Sequence, residues 1–326
     1  MCVKSGQFHC VTATLFVAAT FASTGSSGLQ LVVESDRAVY SPYEPIVLTY
    51  SVVNTSQAEI SVPRLIEPQA GWIQFEISGA EGKFQPYRTG VQAWKVFTTT
   101  TLKPGERLSS QLVVVTNAYG QLANSNLQFA DTKLFPFAQP GKYRIRATYP
   151  LDRSDSVDRR PALASTTVEF TVRTSSKADD EVLQAFGGPE GLAAAMGGDA
   201  DVLDIPTALR RWEELVEKYP RSTYTPAIRL NLGKYYFNGT GLPGPEFERA
   251  VMHFRAVAKA GGQPLAGDAL VELAKSLVEL GRVDEASTAL RTFLESFPQS
   301  ARRTEGVRLR DGLNKGAKTL QEIYGN

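Results

Sequence analysis

The chain holds 326 residues, more than one typical domain, with 35 Lys and Arg against 34 Asp and Glu. So even a balance argues against a nucleic-acid partner, and beyond the first ten residues there is no cysteine and one histidine, too few ligands for a zinc site built from those residues. Length alone points to two domains.

The first stretch, MCVKSGQFHCVTATLFVAATFASTGSSG, carries one cation at Lys4, an apolar run from Val11 to Ala22, and then small and polar residues. That is the layout of a secretory signal peptide, expected over residues 1–24 with cleavage near Ser23 to Gly25. A membrane anchor is the alternative, but the run is short of the about 20 residues a span needs and is interrupted by Thr12, Thr14 and Thr20. Cys10 precedes the apolar run, where a lipid-bearing cysteine would follow it. Removal of the leader takes away Cys2, Cys10 and Lys4, leaving 34 basic and 34 acidic residues and no thiol for a disulfide. The expected location is exported: periplasmic or at the cell surface.

Residues 25–173 read as short half-buried strands: LQLVVES, PIVLTYSVVN, AEISVPRLI, WIQFEISG, RLSSQLVVV, KYRIRATY and STTVEFTV. Apolar and polar residues alternate, Val, Ile, Thr and Tyr are frequent, and Pro and Gly punctuate, as at LKPGE and QPGKY. Tyr143, Ile145, Ala147 and Tyr149 are expected on one side of their strand. With SPYEPIVLTYSVVN, TLKPGE and QPGKYRIRATY, this part resembles the immunoglobulin-like β-sandwiches of exported bacterial proteins, and Gly141-x-Tyr143 resembles their tyrosine corner. The resemblance departs in having no cysteine pair, so Trp72 or Trp94 could fill that place only by packing.

Two segments here admit a functional reading. Thr116 to Ala138 is long, and Tyr119, Phe129, Phe135 and Phe137 among amides would suit a sugar- or peptide-binding loop. Against that, Leu134, Phe135 and Phe137 are expected to fold back over the sandwich end, as large apolar side chains do. Asp152 to Arg160, DRSDSVDRR, offers three aspartates but lacks the glycine and terminal glutamate of an EF-hand, so a solvated hairpin loop is expected rather than a metal site.

Glycine pairs at Gly187-Gly188 and Gly197-Gly198 mark residues 174–204 as a linker with short helices. Asp199, Asp201 and Asp204 precede a helix, where acids cap the first turn.

From 205 to 326 the period becomes helical. Ala286, Leu290, Phe293 and Pro298 stand at offsets 0, 4, 7 and 12; Ala208, Trp212, Leu215 and Pro220 repeat all four, and Ala250, Phe254 and Val257 the first three, with Gly261-Gly262 in place of proline. Upstream, Leu273-Ala274 with Leu277, and Leu232-Gly233 with Tyr236, fill the Leu-Gly and Tyr places of a tetratricopeptide repeat. The region therefore resembles that family, an array of antiparallel helix pairs, with two fairly complete repeats and flanking half-repeats. The degenerate GLAAAMGG suits a terminal, capping repeat.

The fold class expected is thus an all-β immunoglobulin-like sandwich followed by an all-α tetratricopeptide repeat array. No catalytic constellation is found: the one histidine beyond the leader, His253 between Met252 and Phe254, reads as a packing or surface residue, and no nucleophile-elbow pattern surrounds any serine. The reading is of an exported non-enzymatic binding or scaffold protein without cofactor or metal. The resemblance implies a concave groove for a protein or peptide partner. Its inward positions carry over to Lys234, Phe237 and Asn238, to Asp268, Val271, Lys275 and Glu279, and to Arg302 and Glu305. Lys234, Lys275 and Arg302 would form a shallow positive strip, but the lysine and asparagine set of a carboxylate clamp is missing. The alternative is an accessory protein that binds cell-wall or other polysaccharide through the β-sandwich.

Overall fold

A computed structural model describes residues 28–64, 66, 68, 73–79, 82–87, 98–115, 135–150, 162–197, 204–260 and 265–325. The leader at 1–24, Trp72, Trp94, the loop from Thr116 to Leu134, Asp152 to Arg160, Asp199, Asp201 and Gly261-Gly262 lie outside these residues.

The first half is β-rich. Its strands are β1 (Leu29–Ser35), β2 (Val39–Tyr40), β3 (Ile46–Asn54), β4 (Ile60–Pro63), β5 (Gln74–Ser78), β6 (Phe84–Tyr87), β7 (Thr99–Leu102), β8 (Arg107–Val114), β9 (Gly141–Pro150), β10 (Ala162–Ala164) and β11 (Val168–Val172). The orders are β1-β3-β8, then β2-β11-β9-β5-β6 with β10 also on β9, and β4-β7. All pairings are antiparallel except β2 with β11. The pleat sends Leu29, Leu31 and Val33 of β1, Ile46, Leu48, Tyr50 and Val52 of β3, and Tyr143, Ile145, Ala147 and Tyr149 of β9 into one core shared with β5 and β11. β2, β6, β7 and β10 escaped the sequence reading, being too short for an alternation to register.

Phe137 is buried against Tyr143 and Phe170, with edge-to-face rings at 5.3 and 5.2 Å. The Tyr143 hydroxyl donates to the Gln139 carbonyl at 2.8 Å, closing the turn that starts β9. Phe135 is also buried, so both phenylalanines fold inward as expected.

The second half is helical: α1 (Lys177–Ala185), α2 (Pro189–Ala195), α3 (Ile205–Lys218), α4 (Thr225–Asn238), α5 (Phe247–Ala260), α6 (Leu265–Glu279), α7 (Val283–Ser296), α8 (Arg303–Asn314) and α9 (Leu320–Tyr324). Consecutive helices pack from α3 to α8, and α4 meets α6 and α6 meets α8 across the pairs. Ala250, Phe254 and Val257 of α5 and Ala286, Leu290 and Phe293 of α7 are all buried. In α3 the buried residues are Leu209, Trp212 and Val216, whereas Ala208 and Leu215 are half-buried, so the inward stripe is rotated there. Gly233 has a packing reason: a Cβ would stand 2.5 Å from the Phe254 ring, so only glycine lets α4 approach α5 this closely.

The stretch at 174–204 is more than a connector. Ser176 and Asp179 form a capping box on α1, Arg173 pairs with Asp179 at 2.7 Å, and Leu192, Ala195 and Met196 are buried in the helical core. Ala193 packs with Phe135 and Ala138 of the β-rich half. Gly187, Gly188 and Gly197, among the glycines that signalled a linker, follow short helices, and the small side chains of the second let it be buried. Asp204 caps α3, accepting from the Thr207 amide at 3.2 Å, as an acid before a helix should.

The two halves also meet directly. The Tyr224 hydroxyl donates to the Pro42 carbonyl at 2.7 Å, the Thr223 hydroxyl donates to Ser41 Oγ at 3.4 Å, and Val47 leaves the face of Ile46 and Leu48 to join the helical core.

Candidate functional site

The helices α4, α6 and α8 present the residues that the groove reading selects. On α6, Asp268, Val271, Lys275 and Glu279 recur at three- and four-residue steps and so share one face. Val271 is fully buried and serves the core. On α4, Lys234 and Asn238 are exposed, and Phe237 is half-buried with its ring 5.6 Å from that of Phe247. The Lys275 ammonium stands 5.4 Å from the Phe237 ring centre, which links α4 to α6. Arg302 and Glu305 begin α8 beside the first turns of α6.

The expected positive strip is altered by a residue the sequence reading passed over. Glu272 accepts from Arg302 at 2.6 Å and pairs with Lys275 at 3.1 Å. Arg302 also pairs with Glu305 at 2.7 Å and donates to the Asp268 carbonyl at 3.3 Å, and Lys275 reaches Glu305 at 3.5 Å. Two cations and two carboxylates thus form a mostly buried network joining α6 to α8, which neutralises the expected strip at Lys275 and Arg302. Glu272 lies one turn after Asp268 and three residues before Lys275, a spacing that could have flagged it.

Burial would raise Glu272, but Arg302 and then Lys275 outweigh it and hold the carboxyl below the ordinary glutamate value. Burial disfavours the charge on Arg302 too, yet Glu272, Asp268 and Glu305 raise its pKa. Asp268 behaves in the opposite way: desolvation dominates and raises its pKa despite Arg302 and Lys234 nearby. Its Oδ1 is buried and has no hydrogen-bond partner among the described residues.

The same face receives a segment of the chain itself. Glu279 Oε1 accepts from the Leu320 amide at 2.9 Å, and α9 packs on both α6 and α8. The Arg308 guanidinium lies 4.7 Å from the Tyr324 ring centre and donates to the Tyr324 carbonyl at 3.0 Å. Burial pushes the Tyr324 phenol up to about 12, with Glu305 adding to the rise.

A second polar cluster lies between α3, α4 and α5. His253 is 1% exposed, stacks on Tyr236 with ring centres 5.7 Å apart, and its Nε2 is 3.0 Å from Glu213 Oε1. Arg249 pairs with Glu213 and covers the Tyr236 ring at 4.1 Å. Burial would raise Glu213, but His253 and Arg249 bring it below its ordinary value. The histidine is thus packed, while its neighbour Met252 faces outward. Among the described residues no group of three or more His, Cys, Asp or Glu could hold a metal ion, and no helix is long and apolar enough to cross a membrane.

Residues 268–300 match the family model of the tetratricopeptide repeat. The matched stretch takes in most of α6 and all of α7, one antiparallel helix pair. No curated protein matches the chain significantly. Among solved structures, the chain is similar at 10% identity and a TM-score of 0.25 to the Pseudomonas fluorescens alkylpurine DNA glycosylase AlkC bound to DNA containing an abasic site analog, over 45% of this chain and 31% of that one. It is similar at 10% identity and a TM-score of 0.24 to the sporulation control protein Spo0M of Bacillus subtilis, over 49% and 55% of the two chains. A CARDB domain from Pyrococcus furiosus matches at 13% identity and a TM-score of 0.22, over 45% and 94%. The chain therefore spans about a third to about half of the length of the first two.

Proposed function

We propose that this is an exported, non-enzymatic protein that binds a protein or peptide partner along the face shared by α4, α6 and α8, with an immunoglobulin-like β-sandwich as its N-terminal domain. The observation that carries the reading is the tetratricopeptide match over α6 and α7 together with the alignment of three alternate helices, since such repeats generally mediate protein–protein interaction. Lys234, Phe237 and Asn238 form its open end, and the network of Glu272, Lys275, Arg302 and Glu305 its rigid floor. A floor of paired charges favours partners through shape and apolar anchors rather than through a net field. The sandwich reading is supported by the strand orders β1-β3-β8 and β2-β11-β9-β5-β6 around one core and by the Tyr143 to Gln139 hydrogen bond. The signal-like leader supports export to the periplasm or cell surface.

Photo-crosslinking from the groove tests the reading. A crosslinking amino acid at Lys234 or Asn238 should trap a protein partner in the exported fraction, while one at the exposed Arg291 of α7 should not. Equal trapping from all three positions, or none from the groove, would reject the assignment.

A further inference from the structure

The face assigned to a partner is already partly filled, by the tail of the same chain. Three side chains of α9 hold it there: Leu320, Ile323 and Tyr324 are half-buried against the helical core, at helical offsets of zero, three and four. Ile323 seats on Gly312 of α8, where a Cβ would stand 2.7 Å from its Cγ1. The amide of Leu320 is satisfied by Glu279, and the Tyr324 carbonyl by Arg308. Apolar anchors at these offsets in a groove, with polar groups holding the ends, are how proteins hold short helical peptides.

The hold is weak by construction. A helix of five residues has too few internal hydrogen bonds to persist alone, and no residue of α9 is fully buried. The Tyr324 hydroxyl is desolvated without a hydrogen-bond partner among the described residues, a loss that docking does not recover. A cleft of about 710 Å³, lined by Arg308, Asp311, Gly312, Gly316, Glu322 and Ile323, opens between the tail and α8. The connection runs through Gly316 at φ +89°, a backbone state natural to glycine.

We propose that the tail from Lys318 to Gly325 is a displaceable internal ligand, and that the groove takes in its place a short helical partner segment presenting two aliphatic residues three apart followed by a tyrosine. This deepens the partner-binding reading and rests on it. Such a partner pays the cost of removing the tail, so its apparent affinity is reduced by the fraction of time the groove is open.

The test uses a fluorescently labelled synthetic peptide with the tail sequence, AKTLQEIYGN, and anisotropy as the readout. Its targets are the full chain, the full-length variant Ile323→Asp, whose tail cannot seat, and a chain ending at Gly316. Both altered chains should bind the peptide about tenfold more tightly than the intact one, the factor expected if the groove is open about a tenth of the time. A peptide with alanine in place of its tyrosine should lose that gain, and adding Gly312→Leu to the Ile323→Asp chain should abolish binding by filling the isoleucine seat. If Ile323→Asp keeps its helicity and binds the peptide no better than the intact chain, or if Gly312→Leu leaves binding unchanged, the proposal is overturned. Peptide binding without groove crosslinks to a partner would keep the internal ligand and reject the partner reading. Equal crosslinking in intact and Ile323→Asp chains would keep the partner reading and reject displacement.

Discussion

The guanidinium of Arg302 meets the carboxylate of Glu272 at 2.6 Å across the seam between α6 and α8, and both side chains are largely shielded from water. Removing one partner would leave the other charge desolvated and alone. Arg302→Ala should therefore destabilise the helical half by about 3 kcal/mol, as for other buried pairs. Changing Lys275 and Arg302 together to Glu would crowd four carboxylates and should cost more, rather than behaving as an exchange of surface charges. Chemical denaturation followed by circular dichroism reads both, and a loss below about 0.5 kcal/mol, the surface range, would mean that the pair is solvated. The pH dependence has a defined sign. Because Glu272 is held below its ordinary value, its contribution is complete above the unfolded glutamate pKa and is lost as pH falls through the lower folded value.

Asp268 predicts the reverse. Its pKa is raised by desolvation, so between the unfolded aspartate value and the higher folded one the native state holds more protons than the unfolded chain. Stability from this group is complete below the unfolded value and falls as pH rises through the folded one. Asp268→Asn should raise stability, and with it Tm, at neutral pH, because it removes a desolvated charge. The gain should shrink as the solution is acidified; a difference that does not change with pH would refute it.

Phe293 is buried on α7, and a Cβ on Gly306 of α8 would lie 2.6 Å from its ring. Phe293→Ala should cost about 3 to 5 kcal/mol. Gly306→Ala should cost about 1 to 3 kcal/mol through overpacking, although alanine is the better helix former. If Gly306→Ala proves stabilising in thermal melts, α8 sits farther from α7 than described.

Tyr224→Phe removes the hydroxyl that reaches Pro42 and leaves a buried carbonyl unpaired. A loss of about 1 kcal/mol is expected. The more specific readout is cooperativity: β-sheet and helix signals should melt together in the parent and begin to separate in the variant. Separate transitions already in the parent would show that the two halves do not stabilise each other.

The β-to-α division was legible because period two and period 3.6 are properties of neighbouring residues. Phe293 and Phe254 could be assigned to a core from their spacing alone, and Phe135 and Phe137 from their size. The tetratricopeptide likeness was legible at Leu273 to Pro298 for the same reason, and the family model matches there.

Which charge meets which was not legible. Lys275 and Arg302 were read as part of a shallow positive strip, since their offsets within helices say nothing of Glu272 reaching across the seam between α6 and α8. Nor did composition show that the glycine-flanked GLAAAM would be buried. Small side chains mark a loose linker in sequence but also allow close packing, and only the neighbouring Phe135 and Ala138 decide between the two. The seat of Ile323 on Gly312 depends likewise on a turn at Gly316 that folds the tail back. Local periodicity is written along the chain; partner choice among charges and the docking of a short tail are set by distances across space, which exist only after the helices have packed.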